Sequence, residues 1–201
     1  RSATRSEMFF ASAIIYVEGV GEQFIIPAIA EEVYGINLTE NNISVIPIHS
    51  RYFDPYLKLV YKGNLEIPSV AIIDGDEDEL EEEETETSAV ENAQKYKVKD
   101  RVLITSGKKT LEIDLFPDAT VNDTYLKDCF INLGHKTSYE NLITATKDNP
   151  EDWDSELIKR IDKTIKKGRF AQELSLLIDE EFIVPKYIDD ALNHIINSKN
   201  I

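Results

Sequence analysis

Short runs of aliphatic and β-branched residues recur along the first half of the chain, and the stretches between them carry helical spacing. Ala13-Ile-Ile-Tyr-Val17 is the first such run and predicts a buried strand. Gly19 and Gly21 mark a turn. The apolar positions Phe24, Ile25, Ala28 and Ile29 then predict a helix over 22–34, ended by Gly35. Residues 43–48 predict a second strand, 55–61 a second helix and 68–73 a third strand. This alternation predicts an α/β fold on a parallel sheet, whose strands are unbroken apolar runs because both faces are covered. Residues 101–105 and 110–115 return to strand character. After Pro117 the spacing turns helical, over 123–133, 139–146, 155–166, 170–178 and 187–196, punctuated by Gly134, Pro150, Gly168 and Pro185. The predicted organisation is an α/β core over 1–116, a helical insertion over 117–166 and C-terminal helices over 167–201 that complete the core.

Composition sharpens this picture in three places. At 201 residues and 42% hydrophobic, the chain is long and apolar enough for one globular domain with a modest insertion. The net charge of −16 argues at first against a nucleic-acid partner, but its location reverses the inference. Eleven carboxylates and no basic residue fall between Asp74 and Glu91, and the remaining 27 acidic residues nearly balance 22 basic ones. Residues 76–91 therefore read as a solvated, mobile acidic loop. Cys129 is the only cysteine, which excludes an internal disulfide and a cysteine-rich zinc site and predicts a cytoplasmic protein. The apolar runs are too short to span a membrane, and no signal-peptide pattern follows Arg1 and Arg5. The opening Arg-Ser-Ala reads as the start of a piece of a longer protein.

The unusual residues lie where the predicted strands end. In a parallel α/β sheet, ligands collect at the carboxyl ends of the strands. Glu18 follows the first strand directly, with Glu22 one helical turn on, and Asp74-Gly-Asp76 follows the third strand. Glu112 and Thr110 fall on one face of the predicted strand over 110–115. Gly19-Val-Gly21 is not a dinucleotide fingerprint, because Phe24 stands where its third glycine belongs and two glutamates flank the turn. Asp74, Asp76 and Asp78 alternate as in a calcium loop, but Glu79 replaces the required glycine and Thr85 the closing glutamate. Converging carboxylates repel one another unless cations lie between them, and all-oxygen donors suit Mg2+ or Mn2+. His49, His135 and His194 are dispersed, and Trp153 reads as a packing anchor of the helical segment. The groups Lys163, Lys166, Lys167, Arg169 and Lys95, Lys97, Lys99, Arg101 are solvated faces or, against DNA, phosphate contacts without sequence readout.

Val17-Glu-Gly-Val-Gly-Glu22 followed by Ile73-Asp-Gly-Asp76 resembles the Toprim domain shared by topoisomerases, primases and several nucleases. Three further stretches resemble one branch, the overcoming-lysogenization-defect (OLD) nucleases: Arg5-Ser-Glu-Met-Phe-Phe-Ala11, Thr110-Leu-Glu112 and Lys166-Lys-Gly-Arg-Phe-Ala171. The resemblance implies a Toprim-type parallel sheet flanked by helices, with an added or inserted helical segment. It implies a DNA endonuclease using two Mg2+ or Mn2+ ions, carried behind an N-terminal ABC-type ATPase domain. Members are often dimeric, and some serve anti-phage defence. On the same resemblance Glu18, Glu22, Asp74, Asp76 and Glu112 become metal ligands, Thr110 a minor one, and Glu18 and Lys167 the catalytic residues. Lys167 would neutralise charge on the scissile phosphate, with Lys166 the competing neighbour. A topoisomerase would need a nucleophilic tyrosine and a primase a nucleotide-handling ridge, and no residue pattern marks either. The rival from another class is a non-catalytic Toprim scaffold or dimerisation module regulating an attached ATPase.

Overall fold

The apolar runs become four strands, β1 (Ala13–Val17), β2 (Ile43–Pro47), β3 (Ser69–Ile73) and β4 (Val102–Ser106), in the computed structural model, which describes residues 8, 10–62, 64–75 and 89–201. They form one sheet in the order β2-β1-β3-β4, with every pairing parallel. All residues of the two central strands, β1 and β3, are buried, which is why their sequences are apolar without alternation.

The period of two shows instead in which core each side chain enters. Ala13, Ile15 and Val17 of β1 and Val70 and Ile72 of β3 point into the larger cluster. Ile14 and Tyr16, with Ala71 and Ile73, point into the smaller one on the opposite face. The smaller core is closed by Phe53, by Leu57 and Val60 of α2 (Asp54–Val60), and by Ala93 of α3 (Ala89–Gln94). The larger core receives Ile25, Ile26 and Ile29 from α1 (Val20–Glu32). The helices after β4 also deliver their apolar stripes to it: α4 (Leu111–Leu115), α5 (Asp123–Asn132), α6 (Lys136–Thr146), α7 (Trp153–Arg160), α8 (Lys167–Ser175) and α9 (Lys186–Lys199). The helices within 117–166 therefore share the core of the sheet and have none of their own. Trp153 is buried at the start of α7, where its indole N–H donates to the Phe116 carbonyl at 2.7 Å. No described helix is long and apolar enough to cross a membrane.

Three stretches depart from the sequence reading. Residues 110–115 were expected as a strand, but 111–115 form helix α4 with Thr110 as its N-cap. Leu-Glu-Ile-Asp-Leu alternates over too few residues for period two to exclude a helix, and Leu111, Ile113 and Leu115 are all buried on it. Residues 89–91 of the expected acidic loop belong to α3, with residues 76–88 outside the described part. Finally, the chain reversal expected at Gly168 falls at Lys166. There φ is +82° and ψ 135°, after a π-helical turn over Ile161–Ile165, and Gly168 is an ordinary residue inside α8.

Phe170 ties α8 to this core. Only 1% of it is exposed, and its ring meets Phe116 and Phe130 edge-on with centroids 5.9 and 6.2 Å apart. Phe170→Ala is expected to lower the unfolding free energy by about 3–5 kcal/mol, measured by urea denaturation; a loss below about 1 kcal/mol would show that α8 is not anchored through this ring.

Candidate metal centre

With the order β2-β1-β3-β4, the strand order reverses between β1 and β3, the point at which open α/β sheets form their ligand crevice. Glu18 and Asp74 are the residues that follow these two strands. They touch, the Asp74 backbone N–H donating to Glu18 Oε1 at 3.0 Å. The Gly75 N–H donates to the Lys109 carbonyl at 2.8 Å. A Cβ on Gly75 would stand 2.0 Å from the Lys108 backbone, so only glycine lets the loop after β3 lie against the one after β4.

Helix termini supply the other groups. Glu22 sits in the first turn of α1, 5% exposed, and its Oε2 accepts the Gly19 N–H at 3.2 Å. Glu112 sits in the first turn of α4, 6% exposed, and its Oε2 lies 3.1 Å from the Lys167 ammonium. Lys167 is the first residue of α8, placed there by the reversal at Lys166. The Lys166 ammonium instead donates to the Asp162 carbonyl at 2.8 Å. Thr110 caps α4, and its Oγ1 is shut off from solvent with no hydrogen-bond partner among the described residues. Of the residues expected at the site, Glu18, Glu22, Asp74, Thr110, Glu112 and Lys167 therefore come from four separate stretches, and Asp76 lies outside the described residues.

The electrostatics are those of crowded carboxylates. Burial, then the charges of Glu22 and Glu112, push Asp74 up to about 7, against the lowering effects of Lys167 and the Leu111 N–H. Burial also raises Glu22, with Glu18 and Glu112 adding to it. Burial works against the charge on Lys167, but Glu112 outweighs it, followed by Asp162 and Asp74, so its pKa is raised and it stays an ammonium. Among the described residues no three His, Cys, Asp or Glu side chains are spaced to hold a metal ion as they stand. Each carboxylate is engaged by a donor of the chain: Asp74 by the Leu111 N–H, Glu22 by Gly19, Glu112 by Lys167. The donor set nonetheless fits a hard divalent cation. It is all oxygen, it repels itself, and the orphaned Thr110 hydroxyl is a further oxygen at its edge.

Sequence reasoning missed two residues here. Tyr187, in the first turn of α9, has a buried hydroxyl without a partner among the described residues, and the charges of Asp114, Asp74, Glu22 and Glu112 act on it. Asp114 accepts the Lys108 N–H at 2.9 Å and the Lys109 N–H at 3.3 Å, so it shapes the loop that supports Gly75. Asp114 lies in the same short segment as Glu112, which was a signal; Tyr187 carries none in its local sequence.

A four-stranded parallel sheet in the order β2-β1-β3-β4, flanked by helices, is a Toprim-type fold. Comparison with known proteins agrees. Residues 9–76 match the family described as overcoming lysogenization defect protein-like, TOPRIM domain. The chain is 30% identical to the C-terminal region of the Xanthomonas campestris pv. campestris OLD protein, covering 96% of this chain and 98% of that one, with a TM-score of 0.68. It is 28% identical to the C-terminal region of the Burkholderia pseudomallei OLD protein, covering 95% and 100%, with a TM-score of 0.69. No curated protein matches it. The chain belongs to the OLD family and corresponds to its C-terminal Toprim region.

The raised Asp74 gives a signed pH dependence. Its folded-state pKa of about 7 lies above the ordinary carboxyl value. Between the two the folded chain holds a proton that the unfolded chain has released, so stability falls as pH rises through this window. Asp74→Asn does not titrate. In a chelating buffer its melting temperature is expected to match wild type near about pH 4 and to exceed it increasingly up to about pH 7, levelling off above that. A difference independent of pH would contradict the crowding described.

Proposed function

We propose that this Toprim domain is a divalent-metal-dependent endonuclease that hydrolyses DNA phosphodiester bonds by a two-metal mechanism, with no covalent enzyme intermediate. The observation that supports it most is the meeting of Glu18, Glu22, Asp74 and Glu112 with the ammonium of Lys167 at the β1/β3 switch point. In this reading Glu18, Glu22, Asp74, Asp76 and Glu112 hold two Mg2+ or Mn2+ ions, with Thr110 as a minor ligand. When bound, such a pair supplies water activation and compensates charge on both oxygens of an in-line displacement. The chain's own contribution is positional. The carboxylates fix where cations sit, and Glu18 also holds the start of the loop after β3 through the Asp74 N–H. Lys167 places an ammonium where negative charge grows on the phosphate during displacement.

We also propose that residues 117–166 are an insertion into the Toprim region, which 167–201 complete. The solved relatives are C-terminal regions of OLD proteins. By that relation an N-terminal ABC-type ATPase domain and a second copy of the chain are the proposed partners beside DNA. The proposed setting is phage defence in the cytoplasm.

The competing reading is a non-catalytic scaffold or dimerisation module regulating an attached ATPase. Supercoiled plasmid incubated with Mg2+ or Mn2+, with and without chelator, separates the two. Wild type is expected to nick or linearise it only with metal, and Asp74→Ala to lose orders of magnitude in rate. Lys167→Ala is expected to lose about 100-fold in rate even at saturating Mn2+. Lys166→Ala, whose ammonium is turned to the Asp162 carbonyl, is expected to cleave close to normally. Near wild-type cleavage by Asp74→Ala would sink the two-metal assignment, and equal, mild effects at the two lysines would remove Lys167 from the mechanism.

A further inference from the structure

Tyr187 occupies the first turn of α9, a helix held against the sheet by Ile188, Ala191, Leu192 and Ile195. Its phenolic oxygen is shut off from solvent and has no hydrogen-bond partner among the described residues. Asp114 lies beside its ring, and the charges of Asp114, Asp74, Glu22 and Glu112 all act on it. The geometry around Gly107 sets the ring against Asp114. A Cβ there would lie 3.2 Å from Tyr187 Cζ and 2.1 Å from Asp114 Oδ2, so ring and carboxylate converge on the space that this glycine leaves open. A buried hydroxyl without an acceptor lowers stability, and phenylalanine would fill the same space without that penalty.

We propose that Tyr187 is a positioning residue of the metal centre, its hydroxyl being the donor that takes up a carboxylate oxygen of the cluster when divalent ions draw the carboxylates together. The inference rests on the metal-site reading above. A carboxylate has two oxygens, and one that turns an oxygen to a cation leaves the other needing a donor in a place closed to water. Glu112 has Lys167 and Glu22 has the Gly19 N–H, whereas the Tyr187 hydroxyl is a buried donor beside Asp114, within electrostatic reach of the cluster and not yet used. Partners that orient metal ligands from behind typically change metal affinity by ~10–100-fold when removed.

Tyr187→Phe removes the oxygen and keeps the ring. Wild type and Y187F are compared by calorimetric Mn2+ titration and by thermal melts in chelator and in Mn2+. The variant is expected to bind Mn2+ about tenfold more weakly. In chelator it should melt at the same temperature as wild type or higher, because no hydrogen bond is lost, and its rise in melting temperature with Mn2+ should be smaller. A hydroxyl that serves structure alone would show the reverse, a lower melting temperature in chelator with unchanged Mn2+ affinity, and that result overturns the inference. If wild type binds Mn2+ and Y187F binds it equally well, the inference falls while the metal-site reading stands. If wild type binds no Mn2+, the reading of the site fails and takes the inference with it.

Discussion

Repulsion among carboxylates, held in place by a sheet too well packed to let them separate, is the constraint on which the site depends. β1 and β3 are buried along their whole length, so the points at which they end are fixed. Glu18 and Asp74 leave those points side by side, and the hydrogen bond between them makes the two loops one unit. Neither residue can relax away without disturbing strands that carry both hydrophobic cores. Burial first, and the charges of Glu22 and Glu112 after it, raise the pKa of Asp74.

The helices answer this negative charge. Glu22, Glu112, Lys167 and Tyr187 all lie in the first turn of their helices, α1, α4, α8 and α9. Acidic groups are favoured at the positive end of a helix dipole, which offsets part of the crowding of Glu22 and Glu112. A lysine in such a position is disfavoured by the same dipole, and its ion pair with Glu112 compensates. The left-handed backbone at Lys166 is the other local cost, since a non-glycine residue at φ +82° is strained. That strain turns the chain so that Lys167 opens α8 toward the carboxylates while Phe170 anchors the same helix in the core.

How far the sequence revealed this arrangement follows from the range of the forces involved. The strands were legible because each is an apolar run bounded by turn residues, and Glu18, Glu22 and Asp74 because they stand at fixed offsets from those runs. Lys167 was legible only through its family resemblance, since nothing local links it to a carboxylate 55 positions away. Glu112 was placed at the site but on the wrong element. In so short a segment alternation does not separate strand from helix, and packing against the larger core decided the matter. Gly168 drew the expected chain reversal because glycine is the residue that tolerates it most easily. The reversal at Lys166 depends on the π-helical turn before it, a feature without a sequence signal. Tyr187 was invisible for a related reason: only the docking of α9 on the sheet brings its hydroxyl to the acids.

The central claim is that these carboxylates form a two-ion centre, and anomalous diffraction at the manganese absorption edge tests it most directly. Crystals grown with Mn2+ are expected to show two anomalous peaks, roughly 3.5–4 Å apart, bounded by Glu22, Asp74 and Glu112 at the β1/β3 crevice. No peak there at saturating Mn2+, or peaks confined to the acidic stretch beyond Gly75, would contradict the account.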